Sequence, residues 1–147
     1  MAHPCIADRV VEAARGWIGT PYHHQAATRG AGCDCLGLVR GVYADVMGQP
    51  SETPPPYSPD WGDATGEETM INAASRHLVP VSPCYHDIRP GDVLIFRMKA
   101  GRVAKHAAIM STPTHMIHAF EHASVCEVSI GPWRFKLAAA FRFPEIA

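Results

Sequence analysis

The sequence has no excess charge of either sign, no apolar run long enough to cross a membrane and no even set of cysteines. Each absence removes a class of function. Thirteen Lys and Arg stand against 14 Asp and Glu, a formal net charge of −1, and no basic run occurs. Nucleic-acid binding, which relies on clustered cations to neutralise phosphates, is therefore not expected. No stretch approaches the roughly 18 consecutive apolar residues of a spanning helix, so membrane insertion is not expected either. The five cysteines (Cys5, Cys33, Cys35, Cys84 and Cys126) are odd in number. A chain of 147 residues can also bury a core without staples, so reduced thiols are the better reading than a disulfide framework. The opening Met-Ala-His-Pro-Cys-Ile-Ala-Asp-Arg has no basic stretch followed by an apolar run, so a secretory signal is not expected and synthesis in the cytoplasm is. Charged residues are scarce at 18%, but 47% apolar content is ordinary and argues against disorder over most of the length.

What is present fits one domain over residues 1–147. Ile6, Val10, Ala14 and Trp17 fall at helical spacing, with Pro4 before them and Gly19-Thr20-Pro21 after, predicting a helix from Ile6 to Trp17. A glycine-bearing loop, Tyr22 to Asp34, leads to a second helix from Cys35 to Met47, with Asp34 at its N-cap and Gly48 past its end. Gln49 to Gly66 holds five of the 13 prolines and reads as a surface loop, whose Tyr57 and Trp61 either cap the core edge or dock a partner. A third helix is expected from Glu67 to Leu78. Thereafter Asp92–Met98, Val103–Met110, His115–Ala119, Ser124–Ile130 and Leu137–Phe143 are short apolar or alternating runs separated by turn-like clusters. Helices first and an antiparallel sheet second is an α+β layout.

Cys33-Asp34-Cys35 carries the strongest chemical signal. A cysteine in the first turn of a helix meets the positive end of the helix dipole, which can lower a thiol pKa from about 8.5 to roughly 3.5–7.5. The backbone amide there can also donate to an oxyanion. The bland alternative is that Cys33 and Cys35 pack as small apolar groups. A nucleophile needs a base, and His106 lies in a strand-like run with His118 twelve residues on. If the two runs pair across a three-residue loop (Ser111 to Pro113), His106 stands directly opposite His118 on one face. A loop of even length without a bulge would send the rings to opposite faces. His118 would then orient His106, although two half-exposed strand histidines remain the alternative.

Taken in order, Trp17-Ile-Gly-Thr-Pro-Tyr22, Gly32-Cys-Asp-Cys35-Leu-Gly-Leu38, Arg89-Pro-Gly-Asp-Val-Leu-Ile-Phe96, His106-Ala-Ala-Ile-Met110 and Met116-Ile-His-Ala119 resemble the NlpC family of papain-like cell-wall peptidases. The resemblance implies N-terminal helices carrying Cys35, packed on a five-stranded, mostly antiparallel sheet carrying His106 and His118. It implies Cys35 as nucleophile, His106 as base and His118 as the orienting residue. Tyr22 and Asp34 would line the pocket that receives the free N-terminus of a peptidoglycan stem peptide. The bond cut would join γ-D-glutamate to a diamino acid, through a thioester and with no cofactor or metal. The sequence departs from the family at Leu36, where serine is usual, at Cys33, and at His23-His24-Gln25, which replace an aromatic-Gly-Gly stretch. The run Cys33-Asp-Cys-Leu-Gly-Leu-Val-Arg40 resembles most the cell-wall peptidases of phage and gene-transfer-agent tails. That resemblance implies tail tip or hub proteins as partners and action in the periplasm or cell wall of a target cell.

Two rival readings stand beside it. Cys33 with Cys35, His23 with His24, and His115, His118 and His122 could assemble a metal site, although Cys-x-Cys is not the usual zinc knuckle spacing. The chain could also be a structural tail component that keeps a peptidase fold with little activity.

Overall fold

The structure is a computed structural model and describes residues 4–55 and 66–145. Tyr57 and Trp61, singled out above, lie outside the described residues. The first helix, α1, spans Ile6–Arg15 and buries Val10 and Ala14. It stops two residues short of Trp17, because past Gly16 the backbone N–H groups reach back three residues instead of four (Trp17 to Ala14, Ile18 to Arg15) and the chain then turns at Gly19 (φ 93°). Trp17 instead folds onto the second helix, α2, which spans Cys35–Met47 as expected. Its indole donates to Asp45, 3.1 Å, and lies so close to Gly41 that a Cβ there would sit 2.1 Å from the ring. Asp34 caps α2 by accepting from the Gly37 N–H, and Gly48 closes it in the left-handed conformation at φ 79°. The third helix, α3, is shorter than expected and spans Thr69–His77.

Among the described residues the main sheet has six strands, not the five expected. They are β3 (Val79–Val81), β4 (Val93–Phe96), β5 (His106–Thr112), β6 (His115–His118), β7 (Cys126–Ser129) and β8 (Leu137–Arg142), in the order β3-β8-β4-β5-β6-β7 with every pair antiparallel. The extra strand is Val79-Pro80-Val81, which pairs with β8 at the sheet margin. Proline is tolerated at an edge because its missing N–H faces no neighbour. A separate hairpin, β1 (Ala27–Thr28) with β2 (Gly32–Cys33), shapes the loop ahead of α2.

The sheet is buried on both faces. Val93, Ile95, Ala107 and Ile109 pack with Val10, Ala14, Leu38 and Val42 of the helices. Leu94, Phe96, Ala108, Met110 and Met116 pack on the other side with Ile88 and Ile130. Burial of this order, at about 25 cal/mol per Å² of apolar surface, is what holds α2 against β5. Asp92 is 1% exposed and receives both Nε and Nη2 of Arg142 at 2.8 and 2.9 Å.

The β5–β6 hairpin differs from the simple three-residue loop. Met110 pairs with Met116 and Ile109 with Ile117, while the register shifts at Ser111 so that Thr112 faces His115. The bulge restores the parity that a two-residue turn would have lost. His106 and His118 therefore share a face, but they are diagonal neighbours, since the register carried along sets His118 against Ala108.

Candidate active site

Cys35 is the first residue of α2 and lines a cleft of about 510 Å³. Tyr22, Asp34 and His106 line the same cleft, together with His24, Met70 and Phe120. His118 lies behind His106 and is only 3% exposed. The two rings meet through His106 Nε2 and His118 Nδ1 at 2.9 Å, which leaves Nδ1 as the nitrogen of His106 able to take a proton. That arrangement requires His106 to donate through Nε2–H and His118 to accept through a bare Nδ1, so His118 must be neutral. Burial lowers the His118 pKa below its ordinary value, which favours this state. Burial, with a smaller push from His118, takes His106 down to about 3. Phe96, Phe120 and Trp133 surround the pair, with ring centroids 6.0, 5.2 and 5.3 Å from His106.

The thiol does not behave as the helix start alone predicts. Burial and then the Asp34 carboxylate push its pKa up to about 12, while the N–H groups of Ala107, Leu36 and Cys35 itself pull toward thiolate and lose. Cys35 is thus a neutral thiol, donating to the Lys105 carbonyl at 3.6 Å and not to His106. Hydrogen bonds of this kind often tighten only when substrate excludes water.

Asp34, 3% exposed, divides its carboxylate between two backbone donors. Oδ1 accepts from Gly37 at 2.7 Å, and Oδ2 accepts from Gln25 at 2.8 Å. The second bond holds Gln25 at φ 67°, a left-handed conformation that favours glycine, at one of the positions where the resembled family carries glycine. Tyr22 is half-buried, and its hydroxyl is pushed up to about 12 first by burial, then by repulsion from Cys35 once that thiol ionises and from the Asp34 and Glu121 carboxylates. It is therefore a neutral donor at all working pH values.

The remaining candidates scatter. Cys33 is fully buried in the main core, His115 bonds Thr112 and Thr114 at the hairpin tip, and His122 sits exposed beside Glu121. Among the described residues no group of three or more His, Cys, Asp or Glu is placed to hold a metal ion. No helix among them is long and apolar enough to cross a membrane. Sequence reading missed Trp133 and Phe120 as neighbours of the histidines. It also missed the brace in which Glu68 of the α3 start receives Arg97 and the Ala104 N–H. No local pattern signals these contacts.

A helix-start cysteine facing a histidine pair on an antiparallel sheet defines a papain-like cysteine peptidase domain. Comparison with known proteins narrows this, and the chain belongs to the NlpC/P60 family, whose model matches residues 19–142. It is 30% identical over 148 residues to the gamma-DL-glutamyl hydrolase of Bacillus subtilis (strain 168). That match takes in 99% of this chain and 32% of the relative, so the chain spans about a third of that protein. Among solved structures it resembles the NlpC/p60 domain of the peptidoglycan hydrolase SagA, with a TM-score of 0.67 and 23% identity over 93% of this chain and 98% of that one. It also resembles NlpC2 from Trichomonas vaginalis, with a TM-score of 0.73 and 14% identity over 97% of this chain and 48% of that one. At those identities the structural likeness speaks for the fold.

Proposed function

We propose that the protein is a peptidoglycan endopeptidase that hydrolyses the amide bond between γ-D-glutamate and a diamino acid in stem peptides, with Cys35, His106 and His118 as its catalytic set. The observation that carries this reading is the placement of Cys35 and His106 in one cleft, with His118 holding His106 Nε2 at 2.9 Å. The γ-glutamyl bond is supported by the name of the Bacillus subtilis relative and by the resemblance of the sequence blocks.

Substrate entry displaces water, and His106 Nδ1 takes the Cys35 proton as Sγ attacks the γ-carbonyl carbon. The negative charge that develops on oxygen meets the Cys35 N–H at the positive end of α2, a donor that costs about 10²–10³ in rate when lost from comparable sites. Collapse breaks the C–N bond, and His106 returns its proton to the leaving amine. Water then attacks the thioester carbon and gives His106 a proton, and as the C–S bond breaks and the glutamate carboxylate leaves, that proton returns to Sγ. Tyr22 and Asp34 lie where a free peptide N-terminus would bind, a phenol and a carboxylate being suited to an ammonium group. No step calls on a metal or cofactor.

Carriage on a phage-like tail is the finer part of the proposal and rests on the resemblance of residues 33–40 to tail-borne cell-wall peptidases. It makes tail tip or hub proteins the partners and the target cell's periplasm the site of action. Protein mass spectrometry of purified particles from the producing strain tests it, and absence of the chain from them would refute it. The activity is tested by muropeptide mass spectrometry of sacculi incubated under reducing conditions with the native protein and with Cys35→Ala. Products ending in γ-D-glutamate are expected with the native protein alone. Products from both proteins would overturn the Cys35 assignment, and products from neither would favour a structural role.

A further inference from the structure

The cleft is charged asymmetrically. One wall carries Asp34 and Glu121 beside Tyr22, and the charged groups acting most strongly on the Tyr22 hydroxyl are all acidic. The segment between β4 and β5 brings Lys99, Arg102 and Lys105 into the same cleft as a basic wall, and it leaves the sheet on the β4 flank of His106 while Glu121 follows β6 on the other flank. Among the described residues no ion pair or hydrogen bond engages the side chain of Lys99 or Arg102. Their segment is nonetheless built into place. Arg97 donates to the Arg102 carbonyl and to Glu68, while the other Glu68 oxygen accepts from Ala104 N–H at 3.0 Å. Glu68 thus fastens the β4–β5 connection to the start of α3, and Arg97 is used up in the brace. Glu68 stays ionised because those bonds outweigh its burial and lower its pKa.

We infer that Lys99 and Arg102 form a carboxylate-recognition subsite on the leaving-group side of Cys35. The subsite selects a diamino acid whose side chain ends in both an amine and a free carboxylate over one that ends in an amine alone. The inference rests on the proposed peptidase reading, which places the substrate ammonium at Tyr22 and Asp34. The acyl portion then fills the acidic half of the cleft, and the departing residue must extend toward the basic wall. A side-chain carboxylate arriving there meets two cations on a braced segment. A bare amine meets like charge.

The test compares two synthetic tetrapeptides, L-Ala-γ-D-Glu-meso-diaminopimelate-D-Ala and the same peptide with the diaminopimelate side-chain carboxylate amidated. The pair differs in charge and hardly in shape. Wild-type kcat/KM should favour the free carboxylate by about tenfold, or about 1.4 kcal/mol, and the ratio should shrink as salt screens the contact. Lys99→Ala with Arg102→Ala should bring the ratio toward one. Lys99→Glu with Arg102→Glu should invert it, and Lys99→Arg should preserve it. A wild-type ratio near one, or variants that slow both peptides in parallel, would overturn the subsite while leaving the peptidase reading intact. Failure of the wild type to cleave either peptide would overturn both.

Discussion

Gly37→Ala sets two physical effects against each other, and the structure decides between them. Helix propensity alone favours alanine inside α2 by about 0.8–1 kcal/mol. A Cβ at Gly37, however, would lie 1.8 Å from the Ala26 carbonyl oxygen, 2.9 Å from its carbon and 3.1 Å from Asp34 Oδ1. Ala26 is backbone and cannot rotate aside. Its carbonyl also accepts the Asp34 N–H at 3.2 Å, so pushing it away strains the loop whose Gln25 N–H binds the Asp34 carboxylate. Overpacking costs about 1–3 kcal/mol, and weakening a hydrogen bond to a charged group costs about 1.5–3 more. The net loss should be about 1.5–5 kcal/mol, equivalent to a fall in Tm of roughly 3–20 °C for a chain of this size. Thermal and urea unfolding followed by circular dichroism would measure it. Turnover should fall as well, because Asp34 and Cys35 ride on the displaced segment. An unchanged or higher Tm would refute the close approach of α2 to Ala26.

Further predictions concern protonation and the buried ion pair. His106 and His118 both hold pKa values below the ordinary 6.5, so the unfolded chain binds protons that the native state refuses. Stability should therefore fall as pH drops below about 6.5, with His106 contributing down to about 3. Glu52, lowered to about 2 chiefly by its hydrogen bond from Arg76, adds a loss only as pH falls below its ordinary 4.5. Urea midpoints between about pH 2.5 and 8 test the order, and His106→Asn should flatten the upper part of that range. The free enzyme's Cys35 should alkylate slowly with iodoacetamide at pH 7 and faster up to pH 10 and beyond, as a thiol pushed up to about 12 demands. A rate that stays flat from pH 5 to 8 would mean a resting thiolate–imidazolium pair. Arg142→Ala should cost about 3 kcal/mol in urea unfolding, because Asp92 would stay buried with only the Arg89 N–H to bind. A loss under about 0.5 kcal/mol would show that the pair behaves as an ordinary surface bridge.

Much of the fold could be read locally where a residue marks a boundary. Asp34 and Gly48 bracket α2 because a carboxylate cap and a left-handed glycine are local devices, and both ends are as expected. The shared face of His106 and His118 was legible as a condition on parity, but the bulge at Ser111 that meets it was not. β3 escaped notice because Pro80 argues against a strand unless the edge position is known. The site shows the same division. Chain order and spacing suffice to pick out Cys35, His106 and His118, and the structure brings Cys35 to a shared cleft with His106 and sets His118 against it. The protonation state of the thiol depends on burial and the Asp34 charge, which only the assembled fold sets against the helix dipole. The Glu68–Arg97 brace joins distant segments and carries no local pattern.

The proposed hydrolysis passes through a covalent acyl-enzyme on Cys35. Rapid acid quench of the protein with the free-carboxylate tetrapeptide, then intact-mass and peptide-mapping spectrometry, tests it most directly. A transient adduct of the L-Ala-γ-D-Glu acyl group on Cys35 is expected, absent from Cys35→Ala. An adduct on Cys5, Cys33, Cys84 or Cys126, or hydrolysis that survives Cys35→Ala, would contradict it.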